Sequence, residues 1–213
     1  MKIINLKTLL PIFIFVLFLN LVLALRLAYS DRISPGVAVA GMPLGNKTKN
    51  EAHHILLSKI DSLAPQKLVL VNGNKTWEED LKNLGFNYNL EVTLDSAYQI
   101  GRRGNPLIAW QEKNTALFKG VNLPLSYQIN QAALEEKINQ ISQSLFVPTI
   151  NPQIKVLTKS VTIEPGKAGQ EVDRRSLMAT IGQQLAFLQN ESIVVPINQI
   201  NPQLTEDEMT TAK

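Results

Sequence analysis

Between Leu9 and Leu25 the chain carries no charged residue, and only Pro11 and Asn20 interrupt its apolar character. Lys2 and Lys7 precede the run and Arg26 follows it. At about 1.5 Å per residue, such a run nearly crosses a hydrocarbon core of roughly 30 Å. Two readings fit: an anchor that stays in the membrane, or a cleavable signal peptide processed near Ala28-Tyr29-Ser30. Signal h-regions run to about 7–15 residues, so the length favours the anchor. In both readings the two lysines keep the N-terminus in the cytoplasm and everything after the run is exported.

This export changes how the charge is read. The formal net charge is +3, but Lys2, Lys7 and Arg26 belong to the run and its flanks. The other 18 basic residues face 18 acidic ones, so the exported part is neutral. A basic nucleic-acid surface is not supported. There is no cysteine, hence no disulfide, thiol nucleophile or thiolate ligand, and folding must rely on a hydrophobic core.

From Val121 to Ile129, apolar residues alternate at Val121, Leu123, Leu125, Tyr127 and Ile129, the period of a half-buried strand. This strand reads as a seam between two units of similar order. The predicted first unit, 31–120, opens with a strand from Val37 to Leu44. A helix follows, started by a Thr48/Glu51 capping box and striped by Ala52, Ile55, Leu56, Ile60 and Leu63. A hairpin turns at Asn72-Gly73, and a helix begins after Asn89. Leu107 to Gly120 reads as a strand and a loop. The predicted second unit, 121–200, has a helix capped by Asn130, a hairpin turning at Thr158 to Ser160, a helix capped by Asp173 and a last strand from Ile193 to Ile197. Gly85 lies four residues before Asn89, and Gly169 four before Asp173, so both are read as backbone-critical turns with positive φ in a duplicated design. Residues 1–30 form the stub and transmembrane helix, and 201–213 a polar, disordered tail. The fold class is α+β, two strand-helix-hairpin-helix-strand units after a transmembrane helix.

Chemistry is sparse. His53 and His54 are adjacent on a helix and point about 100° apart, so they do not share a metal. No phosphate loop or nucleophile elbow is present. Glu78-Glu79-Asp80 and Glu135-Glu136 read as solvated faces. Trp77 and Trp110 read as core or edge packing, with sugar stacking as the alternative. Arg102, Arg103 and Asn105 are the candidate ligand-binding residues, because an exposed guanidinium pair can clamp carboxylates. The competing reading has Arg102 and Arg103 neutralising helix-end carbonyls. Arg174-Arg175, in the first turn of a helix, is the other arginine pair.

Several segments together carry a resemblance: Pro35-Gly36-Val37-Ala38-Val39-Ala40-Gly41 with Leu44-Gly45 and Thr48…Glu51-Ala52; Leu84-Gly85-Phe86; Gly101-Arg102-Arg103-Gly104-Asn105; and Pro165-Gly166-Lys167-Ala168-Gly169 with Asp173. In order and spacing the chain resembles the putative peptidoglycan-binding domain found after a membrane anchor and ahead of L,D-transpeptidase or VanW-type domains. Asn46 stands where that family usually has a second glycine, and Asn89 where it has an aspartate. The resemblance implies a bacterial, extracytoplasmic α+β module whose partners are peptidoglycan or its precursors and the membrane. The expected function is non-catalytic and needs no cofactor. A scaffold that positions a cell-wall enzyme without touching glycan is the alternative.

Overall fold

The computed structural model describes residue 11 and residues 13–21, 31–157 and 160–203. Residues 13–21 form helix α1, whose apolar side chains, Phe13 to Leu21, are exposed. Among the described residues no helix is long and apolar enough to cross a membrane. The expected anchor, Leu9 to Leu25, lies partly outside the described residues, as do most of the 201–213 tail and the turn at 158–159.

The architecture is mixed α+β with small sheets, as expected. The chain forms two compact units, Met1–Ser62 with Leu90–Leu125, and Leu63–Asn89 with Ser126–Lys213. This differs from the expected division at 120/121, because the hairpin after the second helix belongs with the C-terminal half. The seam strand is itself divided. Pro124 offers no N–H to a ladder, and the chain forms β6 (Val121–Leu123) and β7 (Tyr127–Gln128) on either side of it. The first of these serves one unit and the second the other.

In the first unit, the expected strand at 37–44 is a tight hairpin. Ala40 and Gly41 take φ of 46° and 79°, joining β1 (Val37–Val39) to β2 (Met42–Pro43). β6 then pairs parallel with β1. Helix α2 (Lys49–Leu63) starts with the predicted box: the Thr48 N–H donates to Glu51 Oε2 at 2.9 Å, and the Glu51 N–H to Thr48 Oγ1 at 3.2 Å. Helix α3 (Leu90–Gln99) buries Thr93, Leu94 and Ala97. The segment expected to be strand and loop is instead helix α4 (Pro106–Lys119). A β-reading fails there because Pro106 sets a helical φ at the first position and Asn105 caps it.

In the second unit, β3 (Lys67–Asn72) and β4 (Lys75–Asp80) meet across the predicted Asn72-Gly73 turn, where Gly73 has φ 57°. β5 (Asn87–Tyr88) pairs with β7. Helix α5 (Gln131–Leu145) leads to the hairpin β8 (Gln153–Leu157) and β9 (Ser160–Glu164). β10 (Gly169–Val172) precedes helix α6 (Arg174–Ala186). The predicted last strand is split by Pro196 into β11 (Ile193–Val194), parallel to β3, and β12 (Ile197–Ile200), antiparallel to β10.

The core of this unit gathers Leu68 and Leu70 of β3 and one face each of α5 and α6, closed by Ile193 and Val195. Phe86 lies against it, edge-on to Tyr88 with ring centroids 4.8 Å apart. The Tyr88 hydroxyl donates to Leu185 O at 2.8 Å, and burial pushes its pKa well up. The two marker glycines differ. Gly85 has the expected positive φ, 61°. Gly169 does not: it is needed because a Cβ there would sit 2.4 Å from Val147 O.

Candidate functional site

The loop from Gly101 to Pro106 turns on two glycines, Gly101 at φ 74° and Gly104 at φ 71°. It does not present its three candidate residues alike. Arg102 lies with its guanidinium 4.0 Å over the Tyr98 ring. Its Nη1 donates to Tyr98 O at 2.7 Å, in the last turn of α3, and its Nη2 donates to Arg32 O at 2.6 Å. Arg102 is therefore a structural clamp, closer to the competing reading than to the ligand-binding one. Asn105 caps α4, accepting from the Ile108 N–H at 2.9 Å. Arg103 alone of the three points freely to solvent. The expected exposed arginine pair is thus one arginine, because the other folds back on the start of its own unit.

The second unit holds a cleft that the motifs in the sequence do not single out. In the β3–β4 ladder Leu70 faces Trp77 and Leu68 faces Glu79. Side chains alternate along a strand, so these four share one face. Opposite lie Leu134, Ile138 and Ile141 of α5, and between them is a cleft of about 410 Å³. Thr76, Glu78, Lys137 and Gln140 form its polar edge. Lys137 Nζ lies 2.8 Å from Glu79 Oε2, and Asn83 Nδ2 donates to Glu79 Oε1 at 3.3 Å. The Lys137 ammonium first, and Asn83 second, hold the Glu79 carboxyl below its ordinary range. Glu78 pairs with Lys67 at 2.9 Å. The Glu78-Glu79-Asp80 run is thus not a single solvated face. The period of two that puts Trp77 inward also puts Glu79 inward, and that signal is present in the sequence.

Such a volume, with an apolar floor, an indole and a few convergent polar groups, is the composition of a small-ligand site. The indole can cover the apolar face of a sugar ring, while Lys137 and Gln140 offer donors to hydroxyls or carboxylates. Glu79, kept ionised by its lysine, is poorly suited to act as a general acid.

The remaining candidates are scattered. Arg174 and Arg175 stand in the first turn of α6 as expected, both exposed. The rings of His53 and His54 lie 6.0 Å apart at 86°, the first half-buried and the second exposed. Among the described residues no three His, Cys, Asp or Glu side chains are grouped to hold a metal ion. Trp77 packs against the core, whereas Trp110 is exposed.

A family model described as "Putative peptidoglycan binding domain" matches residues 77–193, more than half of the chain. The match begins at Trp77 and includes the α5 side of the cleft. No curated protein and no solved structure matches.

Proposed function

The chain belongs to the putative peptidoglycan binding domain family, and from that membership we propose that it is a non-catalytic, membrane-anchored module that contacts peptidoglycan outside the cell. The family points to the cell wall; the cleft between β4 and α5 is the place where contact is made. A wall fragment combines amino-sugar rings with carboxylates on lactyl groups and peptide stems. Trp77 covers a ring face, Lys137 and Gln140 take the polar groups, and Arg103 adds a cation elsewhere on the surface. The observation that carries this reading is the apolar face of Leu68, Leu70 and Trp77 opening beside the Glu79–Lys137 pair. The ion pairs of both cleft carboxylates leave neither poised as a general acid.

The anchor is the run from Leu9 to Leu25. Its lack of charge, the lysines before it and the exposed apolar surface of α1 support membrane insertion with the N-terminus in the cytoplasm. The L,D-transpeptidase or VanW setting of similar domains makes a wall enzyme a natural neighbour.

Co-sedimentation of the full chain, in mild detergent, with purified peptidoglycan tests the proposal. The chain should pellet at low salt and be released as salt rises, because its polar contacts are partly exposed. Trp77→Ala and Lys137→Ala should each weaken pelleting several-fold. The digest pattern of the wall should not change. A chain that stays in the supernatant at every salt concentration overturns the glycan reading in favour of the scaffold.

A further inference from the structure

Helix α4 has 14 residues and buries one, Ala116. Leu107 is 69% exposed, Trp110 63%, Leu117 56% and Phe118 80%. At about 100° per residue these four fall on one stripe, opposite Ala116. The helix is therefore attached by its small face and bare on its large apolar one. Single exposed apolar residues need no explanation, but four large ones on one side of a helix, interrupted only by Asn114, mark an interaction surface.

The attachment shows where this stripe lies within its unit. Ala116 rests on Gly36, where a Cβ would sit 1.8 Å from Ala116 O. The Val121 N–H, just past the helix, donates to Gly36 O at 3.0 Å. At the other end of α4, Arg102 holds Arg32 O, and Ser34 Oγ donates to Ile100 O at 2.7 Å. Both ends of the helix are thus tied to residues 32–36, the first stretch of chain after the uncharged run. From Leu25 to Asp31 are six residue steps, which reach at most about 20 Å.

We propose that the Leu107/Trp110/Leu117/Phe118 face of α4 lies in the interfacial layer of the same membrane that holds the Leu9–Leu25 run, so that the first unit rests on the lipid surface. This rests on the anchor reading. The chemistry suits an interfacial helix. Large apolar and aromatic groups occupy one face and sink about 5–10 Å into the headgroup boundary, and lysines at its edges reach to the headgroups. Lys113 is exposed on the flank of the stripe, and Lys119 is exposed at the end of α4. The one acidic residue of the helix, Glu112, is turned to the Gly101 N–H at 2.7 Å. The charge left beside the stripe is positive and complements anionic lipid.

The chain lacks cysteine, so one introduced thiol gives a unique label. Full-length Phe118→Cys, carrying a nitroxide, is reconstituted into phosphatidylcholine/phosphatidylglycerol vesicles, with Leu107→Cys as a second site and Asn74→Cys as the aqueous control. Accessibility to oxygen and to a water-soluble nickel chelate is then read. Labels at 118 and 107 should favour oxygen over the chelate several-fold more than the label at 74. Labels at 118 and 107 as open to the chelate as the control overturn the proposal. So do labels shielded from both reagents, and spin–spin broadening between copies would then identify a second chain as the occupant. An alkaline wash separates the two claims. If the chain stays in the vesicles but the labels are wet, the anchor stands and the α4 face does not; if the chain is washed away, both fall.

Discussion

Helices α4 and α5 start alike and end differently. Each opens on an asparagine whose side chain accepts from a backbone N–H three residues on, Asn105 from Ile108 at 2.9 Å and Asn130 from Ala133 at 3.2 Å. They have 14 and 15 residues. Yet α5 buries Leu134, Ile138, Ile141, Ser142 and Leu145, while α4 buries only Ala116. The difference lies in spacing. Apolar residues of α5 recur at intervals of four, three and four, which is one helical face. Those of α4 skip the middle turn, where Asn114 takes the place of an apolar residue, and the large ones on that face stay exposed. A cap says that a helix begins; the spacing behind it says what the helix is for.

The largest expected effect tests this contrast directly. Ile138→Ala should destabilise the fold by about 2–5 kcal/mol, because it opens a cavity in the second unit's core. Phe118→Ala should cost no more than about 0.5 kcal/mol. Urea denaturation in mild detergent compares them, and similar losses would mean that α4 is covered after all.

A finer contrast sits in the loop before α4. Arg102→Ala leaves two carbonyls and an aromatic face without their guanidinium and should cost about 1–3 kcal/mol. Arg103→Ala should leave the melting temperature unchanged and weaken peptidoglycan pelleting slightly. Equal melting of the two variants would return the pair to the symmetric role read from sequence.

The caps should be the point where the two helices agree. Asn105→Ala and Asn130→Ala should each lower stability by about 1 kcal/mol. A loss confined to Asn130 would show that α4 forms independently of its cap.

The smallest effect depends on pH. Glu79 in the fold has a pKa below its ordinary 4.5, chiefly through Lys137. A lowered carboxylate pKa adds stability that is present above the unfolded value and is lost as pH falls through the folded one. The stability difference between wild type and Lys137→Met, under about 1 kcal/mol for a pair whose lysine is half exposed, should therefore shrink as pH drops below the ordinary value. A difference that grows on acidification would remove Glu79 as the partner that matters.

Much of the second unit is legible in the amino-acid sequence. The Asn72-Gly73 hairpin and the caps at Asn130 and Asp173 form where the residues announce them. Each depends on bonds or periods confined to a few neighbouring residues. The cleft is half-legible: the alternation through Trp77 and Glu79 is in the sequence, but its far wall belongs to α5, distant along the chain. The loop candidates mislead because Arg102 and Arg103 are chemically identical, and nothing local separates a clamp from a free cation.

By itself, then, the sequence determined where most helices and turns begin, the α+β class and the family. Tertiary structure decided which hairpin joins which unit, that Arg102 faces inward to a carbonyl 70 positions away, and that Gly169 is required by the closeness of Val147 rather than by its own φ. The physical reason is range. Capping and hairpin turns are closed by hydrogen bonds within one or two turns of chain, so composition at fixed offsets specifies them. Burial, ion-pair choice and close backbone approach depend on surfaces brought together only when distant segments pack.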